Sequence, residues 1–125
     1  IDVVEYKVVA DDSSVIEKLL MKYSDIFALN LIVTTGGTGL GRRDVTPEAT
    51  RNIIEKEITG IVEGSRAYGQ RRTPLSMLSR GVAGIRGTSL IINIPGSLRA
   101  VSESLDFLFP GLEHAFKMME GHGHK

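Results

Sequence analysis

The residues best suited to chemistry in this sequence form a glycine-rich run behind a short apolar segment. Gly36, Gly37, Gly39 and Gly41 are crowded together, with Thr38 among them. Glycine permits positive φ and close backbone approach, so successive N–H groups can turn inward and hold an anion. No Lys-Ser/Thr pair follows the glycines, and the dinucleotide fingerprint is also absent. The motif alone therefore predicts a phosphate-like ligand and goes no further.

Asp44 places a negative charge beside this expected anion cradle. A carboxylate repels phosphate unless a divalent cation lies between them, as in magnesium-assisted transfer from a nucleotide. The alternative is that Asp44 only caps or hydrogen-bonds within the loop. The spacing between the glycines and Asp44 favours a bound cation, and a hydrogen bond within the loop remains the alternative role of Asp44.

Three further positions are candidates with plain structural alternatives. Asp11 and its neighbour Asp12 could be metal ligands, or they could mark a turn and a helix start. Ser97 could cap the next helix, and the N–H groups there could also meet an anion. Ser79 and Arg80 could contact phosphate, although exposed arginines usually belong to solvated surface.

The elements that must position these residues alternate between strands and helices. The apolar run 31–35 predicts a central parallel strand buried on both faces. After the glycines, Thr46 can cap a helix that has Pro47 in its first turn and Gly60 as its stop. The remaining expectations are strands at 1–10, 82–86 and 89–94, the last two as an antiparallel hairpin, and helices at 15–23, 46–58, 61–68, 98–109 and 113–120, with a helical turn at 73–78.

This order of elements implies one layered α/β domain over residues 1–125, with a mostly parallel sheet and one antiparallel hairpin strand. Ligands of open α/β sheets bind beyond the carboxyl ends of the strands. We therefore expect residues 11–12, 36–44 and 95–97 to converge if their three strands run parallel.

Composition narrows the class of protein. Fifteen basic residues balance fifteen acidic ones, which gives no support to nucleic-acid or membrane partners. The absence of cysteine removes disulfides and thiolate chemistry. No apolar run reaches the roughly 20 residues of a membrane-spanning helix, and a cytoplasmic location is expected. The tail histidines His122 and His124 fit a frayed terminus better than a metal site.

Three motifs carry a family resemblance. LIVTTGGTGLGRRDVTPEAT (31–50), MLSRGVAGIRG (77–87) and LIINIPGS (90–97) closely resemble the molybdenum-cofactor biosynthesis family. Its members include molybdopterin adenylyltransferases and the G domains of gephyrin and its plant counterparts. The resemblance spans nearly the whole chain, in order and with sensible spacing.

The resemblance implies a three-layer α/β/α sandwich, commonly trimeric, that binds molybdopterin and ATP. The implied reaction depends on magnesium: the terminal phosphate of molybdopterin attacks the α-phosphate of ATP, adenylyl-molybdopterin forms, and pyrophosphate leaves. Such transfer needs positioning and charge neutralisation more than covalent participation by the protein.

Asp44 and Asp11 match the two functional aspartates of the family, which the resemblance implies to be catalytic and to hold Mg²⁺. Ala10 stands where the family usually has proline, which weakens the Asp11 match. The implied ligand-binding residues are those of the glycine loop, of the second loop and of the Ser-Arg pair: Gly36, Gly37, Thr38, Gly39, Pro95, Gly96, Ser97, Ser79 and Arg80.

One departure from the family concerns the first element. The family opens with a strand and helix before the segment that matches Ile1, and this unit is not in the sequence. Its absence would expose an apolar sheet edge and helix surface. Two alternatives to the transferase stay open: a non-catalytic molybdopterin-binding or scaffold module of the same family, and a hydrolase-like relative that acts on another nucleotide.

Overall fold

A computed structural model describes residues 2–121, so the tail histidines His122 and His124 lie outside the described residues. Helices and strands alternate through most of this length. The elements in chain order are α1 (Ser13–Met21), a π-helical turn (Lys22–Ile26), β1 (Leu31–Thr35), α2 (Thr46–Ile53), β2 (Lys56–Glu57), α3 (Thr59–Gln70), a 3₁₀ turn (Pro74–Leu78), β3 (Ala83–Arg86), β4 (Ser89–Ile94) and α4 (Leu98–Met119).

The strands form one mixed sheet in the order β1-β4-β3-β2. β1 and β4 run parallel, with Leu31 opposite Leu90 and Thr35 opposite Ile94. β3 pairs antiparallel with both β4 and β2. The predicted 82–94 hairpin is confirmed, whereas the expected mostly parallel pairing is limited to the β1–β4 pair among the described strands.

Helices cover both faces of the sheet, which confirms the three-layer α/β/α architecture. β4 shows this best because all six of its residues are buried. Its Ile91 packs among residues of α1 and α2, and Leu90, Ile92 and Ile94 pack against α3 and α4. Alternate side chains of a strand point to opposite faces, so one apolar strand supports two helical layers.

The first ten residues do not form the expected strand. Residues 2–10 have no regular secondary structure. Val3, Val4, Tyr6 and Val8 are exposed by 69–83% of their surface. High β-propensity needs a paired neighbour to become a strand, and none of the four described strands pairs with this segment.

β1 is also less buried than its apolar sequence predicts. It lies at one edge of the described sheet, and Val33 is 37% exposed. Among the described residues β1 is thus an edge strand, where the sequence predicted a central one.

The helix predicted at 46–58 ends early. α2 stops at Ile53, and Ile54 is already extended. The chain then pairs with β3, because Glu55 N–H donates to Ile85 O and Ile58 N–H donates to Ala83 O. Gly60 therefore lies inside α3 instead of terminating α2.

α4 runs without interruption through Pro110, where the sequence predicted a break. The proline is exposed, and buried Leu108 and Leu112 flank it on the sheet-facing side. Burial of the apolar face that contains Leu108 and Leu112 outweighs the roughly 3 kcal/mol that an internal proline costs a helix. No helix within residues 2–121 combines the length and apolar character needed to cross a membrane.

Candidate functional site

A cavity of about 570 Å³ opens where the parallel strands β1 and β4 end. The glycine loop after β1 lines one side, and the loop 95–97 after β4 lines another. α3, the 3₁₀ turn and α4 complete the wall. Parallel strands bring their carboxyl ends to one edge, so the predicted convergence of 36–44 with 95–97 is confirmed.

The glycine loop turns sharply at two consecutive residues. Gly36 and Gly37 have φ of +85° and +70°, a region that favours glycine. Gly36 N–H donates to Ile94 O at 2.9 Å, which ties the loop to β4. A Cβ at Gly37 would lie 2.3 Å from Thr46 Oγ1. Both the turn and the close approach of α2 therefore require glycine here.

Thr46 does not cap α2 as the sequence predicted. The N-cap position belongs to Val45, which contributes no side-chain hydrogen bond. Thr46 is buried as the first helical residue, and its N–H donates to Gly37 O at 3.3 Å. Pro47 and Glu48 occupy the first turn as expected. The start of α2 is thus held directly against the glycine loop.

The loop after β4 presents Pro95, Gly96 and Ser97 to the cavity. Ser97 Oγ accepts a 3.1 Å hydrogen bond from Ala100 N–H, so Ser97 is the N-cap of α4 as predicted. A helix N-terminus carries partial positive charge from its unpaired N–H groups. The cavity is therefore bordered by a helix start as well as by the glycine loop.

Asp44 lies on the cavity wall and takes part in the loop. Its Oδ2 accepts a 2.8 Å hydrogen bond from Gly41 N–H, which is the loop role considered from the sequence. A Cβ at Gly39 would lie 2.9 Å from the same oxygen. Within residues 2–121, Oδ1 has no hydrogen-bond donor. The carboxylate therefore fixes the loop through one of its two oxygens.

The expected convergence of residues 11–12 with the glycine loop and the loop 95–97 is wrong, because residues 2–10 form no strand that could bring them to the sheet's carboxyl edge. Asp11 lies apart from this site. It is exposed, and the cavity lining does not include it. Its neighbour Asp12 is the N-cap of α1 and accepts a 3.2 Å hydrogen bond from Val15 N–H. Asp12 thus has the helix-start role considered from the sequence, whereas a catalytic or metal role for Asp11 stays a prediction.

Ser79 and Arg80 are adjacent in sequence, but of the two only Ser79 is among the residues that line the main cavity. Ser79 lines the cavity, and its carbonyl accepts from Arg66 Nη1 at 3.0 Å. Arg80 lies behind the glycine loop, among the residues that line a neighbouring cavity of about 520 Å³. Its side chain bonds the loop and the carboxylate of Glu48. The hydrogen bond from Arg80 lowers the pKa of the Glu48 carboxyl, and Glu48 raises the pKa of the Arg80 guanidinium.

Asn93 is a cavity residue that sequence reasoning missed. It is 4% exposed and lies in β4. Its Oδ1 accepts from Val82 N–H at 3.0 Å, and its Nδ2 donates to Thr34 Oγ1 and Thr50 Oγ1 at 2.9 and 3.0 Å. The sequence does contain a clue to this residue, because Asn93 is a lone amide within the apolar run SLIINI (89–94). A polar group buried in such a strand needs specific hydrogen-bond partners.

A magnesium ion would find few protein ligands here. Among residues 2–121, no three histidine, aspartate or glutamate side chains gather closely enough to hold a metal. Mg²⁺ in nucleotide sites is commonly bound through one or two carboxylates together with substrate phosphates. Asp44, with Oδ1 facing no donor at the cavity wall, fits that mode of binding.

The fold and this cavity define a three-layer α/β domain with a glycine-rich loop at the sheet's carboxyl edge. The family model described as "Probable molybdopterin binding domain" matches residues 1–114. The chain belongs to this family, which confirms the resemblance drawn from the three motifs.

Individual relatives agree with this assignment. The chain is 42% identical over 116 residues to the molybdopterin adenylyltransferase of Helicobacter pylori strain J99, covering 93% of this chain and 66% of that protein. It is 41% identical over 112 residues to the molybdenum cofactor synthesis protein cinnamon of Drosophila melanogaster, covering 90% of this chain and 19% of that protein.

A solved structure supports the fold. The molybdopterin biosynthesis enzyme MoaB of Thermus thermophilus superposes with a TM-score of 0.90 at 46% identity, covering 99% of this chain and 78% of that one. The chain spans 66% of the length of the Helicobacter relative.

Proposed function

We propose that this chain is the catalytic domain of a molybdopterin adenylyltransferase in molybdenum cofactor biosynthesis. The reaction transfers the adenylyl group of ATP to the terminal phosphate of molybdopterin and releases pyrophosphate. The observation that carries the proposal is the pairing of a glycine cradle with one free carboxylate oxygen of Asp44 on the same cavity. The names of relatives at 38–42% identity support the same chemistry.

The backbone of the glycine loop would hold the phosphate groups. Gly36 and Gly37 adopt positive φ in succession, and such a turn lets neighbouring N–H groups converge on an anion. Thr38 and Gly39 continue the same wall. Preorganised N–H donors cost no reorganisation as charge develops in the transition state, which is how a cradle of this kind accelerates transfer.

The second loop would hold the other substrate. Pro95, Gly96 and Ser97 border the cavity at the N-terminus of α4, whose dipole favours a phosphate-bearing group. Ser79 lines the wall between this loop and α3. Two loops on one cavity could thus bring a nucleophilic phosphate and a nucleotide together, and such positioning supplies much of the rate in phosphoryl-type transfer.

Asp44 would hold Mg²⁺ through Oδ1, and the ion would neutralise negative charge on the substrate phosphates. The hydrogen bond from Gly41 N–H to Oδ2 fixes the orientation of the carboxylate. We propose Asp11 as the second functional aspartate on the family match alone.

The deciding experiment measures pyrophosphate release by the full-length protein with ATP, Mg²⁺ and molybdopterin. Asp44→Ala should suppress release. Asp44→Asn should suppress release as well, because it removes the negative charge that would bind Mg²⁺. Its amide oxygen can still accept the hydrogen bond from Gly41 N–H, so the loop contact is kept. Asp106→Asn, an exposed change on α4, is the matched control. Normal turnover in the Asp44 variants would contradict the assignment of the site.

A second candidate is a non-catalytic molybdopterin-binding or scaffold module. The observation that favours it is the position of Asp11 away from the cavity, which leaves one of the two expected aspartates at the site. Tight molybdopterin binding without any ATP-dependent product would select this alternative over the transferase.

We also propose a cytoplasmic homotrimer. Leu75 and Met77 in the 3₁₀ turn are 67% and 68% exposed, and exposed apolar area of this kind is commonly covered by assembly. Light scattering on the full-length protein tests the trimer, and a strictly monomeric protein would contradict it.

A further inference from the structure

Arg80 makes an unusual set of contacts with the glycine loop. Its backbone N–H donates to Thr38 O at 2.9 Å. Its Nε donates to Gly39 O at 2.8 Å, and its Nη2 donates to Asp44 O at 2.7 Å. The remaining nitrogen, Nη1, donates to Glu48 Oε2 at 2.5 Å. One side chain therefore joins both ends of the loop segment 39–44 to the first turn of α2.

The guanidinium is directed at the loop and away from the substrate cavity. Arg80 is absent from the residues that line the main cavity, although its neighbours Ser79 and Gly81 are among them. The two carbonyls that it bonds belong to Gly39 and Asp44, which are both among the residues that line that cavity. Arg80 is thus placed to act on the site only through the loop.

A loop rich in glycine needs such a restraint. Glycine loses more conformational freedom on ordering than any other residue, so the segment 36–41 has a high entropic cost of being held still. The planar fork of arginine presents donors at fixed separation, whereas the lysine ammonium is a single charge on a flexible chain. Glu48, at 51% side-chain exposure, fixes the outer end of the fork.

We propose that Arg80 is a positioning residue: with Glu48 as its anchor, it sets the geometry of the glycine loop and of Asp44 for adenylyl transfer. The catalytic part of this inference rests on the function proposed above. The structural part, that Arg80 holds the loop in place, can be tested without turnover. The role differs from the phosphate contact that the sequence suggested, because the guanidinium donates to two carbonyls and a carboxylate.

Arg80→Lys is the informative substitution because it keeps the charge and removes the fork. Misplacement of about 1 Å in a catalytic group can cost about 100-fold in rate, so we expect kcat to fall by about 10- to 100-fold. The KM for ATP should change much less, since the cradle N–H groups remain present. Hydrogen exchange of the peptide covering 36–44 should become faster, while the urea midpoint of global unfolding stays near that of wild type.

Glu48→Gln provides a second variant that leaves Arg80 intact. It should lower kcat less than Arg80→Lys does. The double variant should have the same kcat as Arg80→Lys alone, because both substitutions disrupt the same Arg80–Glu48 pair. Arg51→Lys is the matched control: it keeps the positive charge, and the side-chain hydrogen bonds of Arg51 go to Glu57 and to neither loop. It should leave kcat and loop exchange unchanged.

Two results would overturn the positioning role. One is an Arg80→Lys enzyme with normal kcat and normal exchange in 36–44. The other is a rise in the KM for ATP with unchanged kcat and exchange, which indicates a direct phosphate contact. If wild type releases no pyrophosphate, the proposed function fails instead, and the exchange of 36–44 still decides whether Arg80 holds the loop.

Discussion

Gly36 and Gly96 meet backbone against backbone at the point where β1 and β4 end. A Cβ built on Gly96 would lie 3.0 Å from Gly36 Cα and 3.5 Å from Gly36 N. This contact joins the two loops that border the cavity, so their separation is fixed by the absence of a side chain. Any substrate that spans both loops depends on that separation.

Gly96→Ala should therefore open the cavity. The added methyl meets backbone that cannot rotate away, and overpacking of this kind costs about 1–3 kcal/mol. Urea unfolding should show that loss, and calorimetric titration should show weaker binding of ATP. Gly60→Ala is the control, since a Cβ there meets nothing within 4 Å. Unchanged ATP affinity in Gly96→Ala would show that the two loops do not share the ligand.

Asn93→Ala should destabilise the protein strongly for a single polar residue. The change leaves Val82 N–H without its acceptor and removes the donor to Thr34 and Thr50, all in or near the core. An orphaned buried polar group costs about 1–3 kcal/mol, so a loss towards the upper end is expected in urea unfolding. Asn52→Ala, at an exposed amide that donates to Glu17, is the control and should stay within about 0.5 kcal/mol. Equal effects for the two variants would refute the importance of the Asn93 network.

Sequence patterns were sufficient for the local parts of this fold. The Gly87 turn between two apolar runs predicted the β3–β4 hairpin, and Gly87 has a φ of +57° as such a turn requires. The glycine loop, the Pro47 start of α2 and the Ser97 cap were predictable for the same reason. In each case, the chemistry of a few adjacent residues determines the conformation.

Features that depend on distant partners were not predictable. Residues 2–10 have the composition of a strand, but no described strand pairs with them. Ile54 leaves the helical pattern because the next residues bond to β3. Asn93 and Arg80 acquire their roles from groups that lie 11 to 59 positions away in sequence, such as Val82, Glu48 and Thr34. A single sequence does not contain those pairings.

The Asp25–Arg86 pair should make stability depend on pH. Arg86 donates to both carboxylate oxygens, at 3.0 and 2.9 Å, and this lowers the pKa of the Asp25 carboxyl. A lowered folded-state pKa stabilises the fold above the unfolded value of about 3.9, and this contribution disappears as the pH falls through the folded pKa. Asp25→Asn should therefore be less stable than wild type near neutral pH.

The difference between wild type and Asp25→Asn should shrink as the solution is acidified below the ordinary carboxyl range. Urea midpoints across an acid series measure this convergence. Asp106→Asn, exposed on α4, serves as the control for loss of one negative charge. A gap between wild type and Asp25→Asn that stays constant down to strong acid would argue against the ion pair as its source.

Pro110→Ala tests whether α4 is one helix. In a continuous helix, alanine restores the N–H that can donate to Asp106 O and removes the clash of the proline ring with that turn. Against this gain, proline restricts the unfolded chain, which is worth about 0.4–1 kcal/mol. Because an internal proline costs about 3 kcal/mol, we expect a net stabilisation of about 2–2.6 kcal/mol in urea or thermal unfolding. Gly111→Ala lies at a neighbouring exposed site where an added Cβ meets nothing within 4 Å, so it should raise the free energy of unfolding by about 0.5–1 kcal/mol.

A helix break at 110–111 would give the opposite result. Both substitutions would then remove a helix stop and lower the free energy of unfolding, so a loss of stability in both variants would contradict a continuous α4.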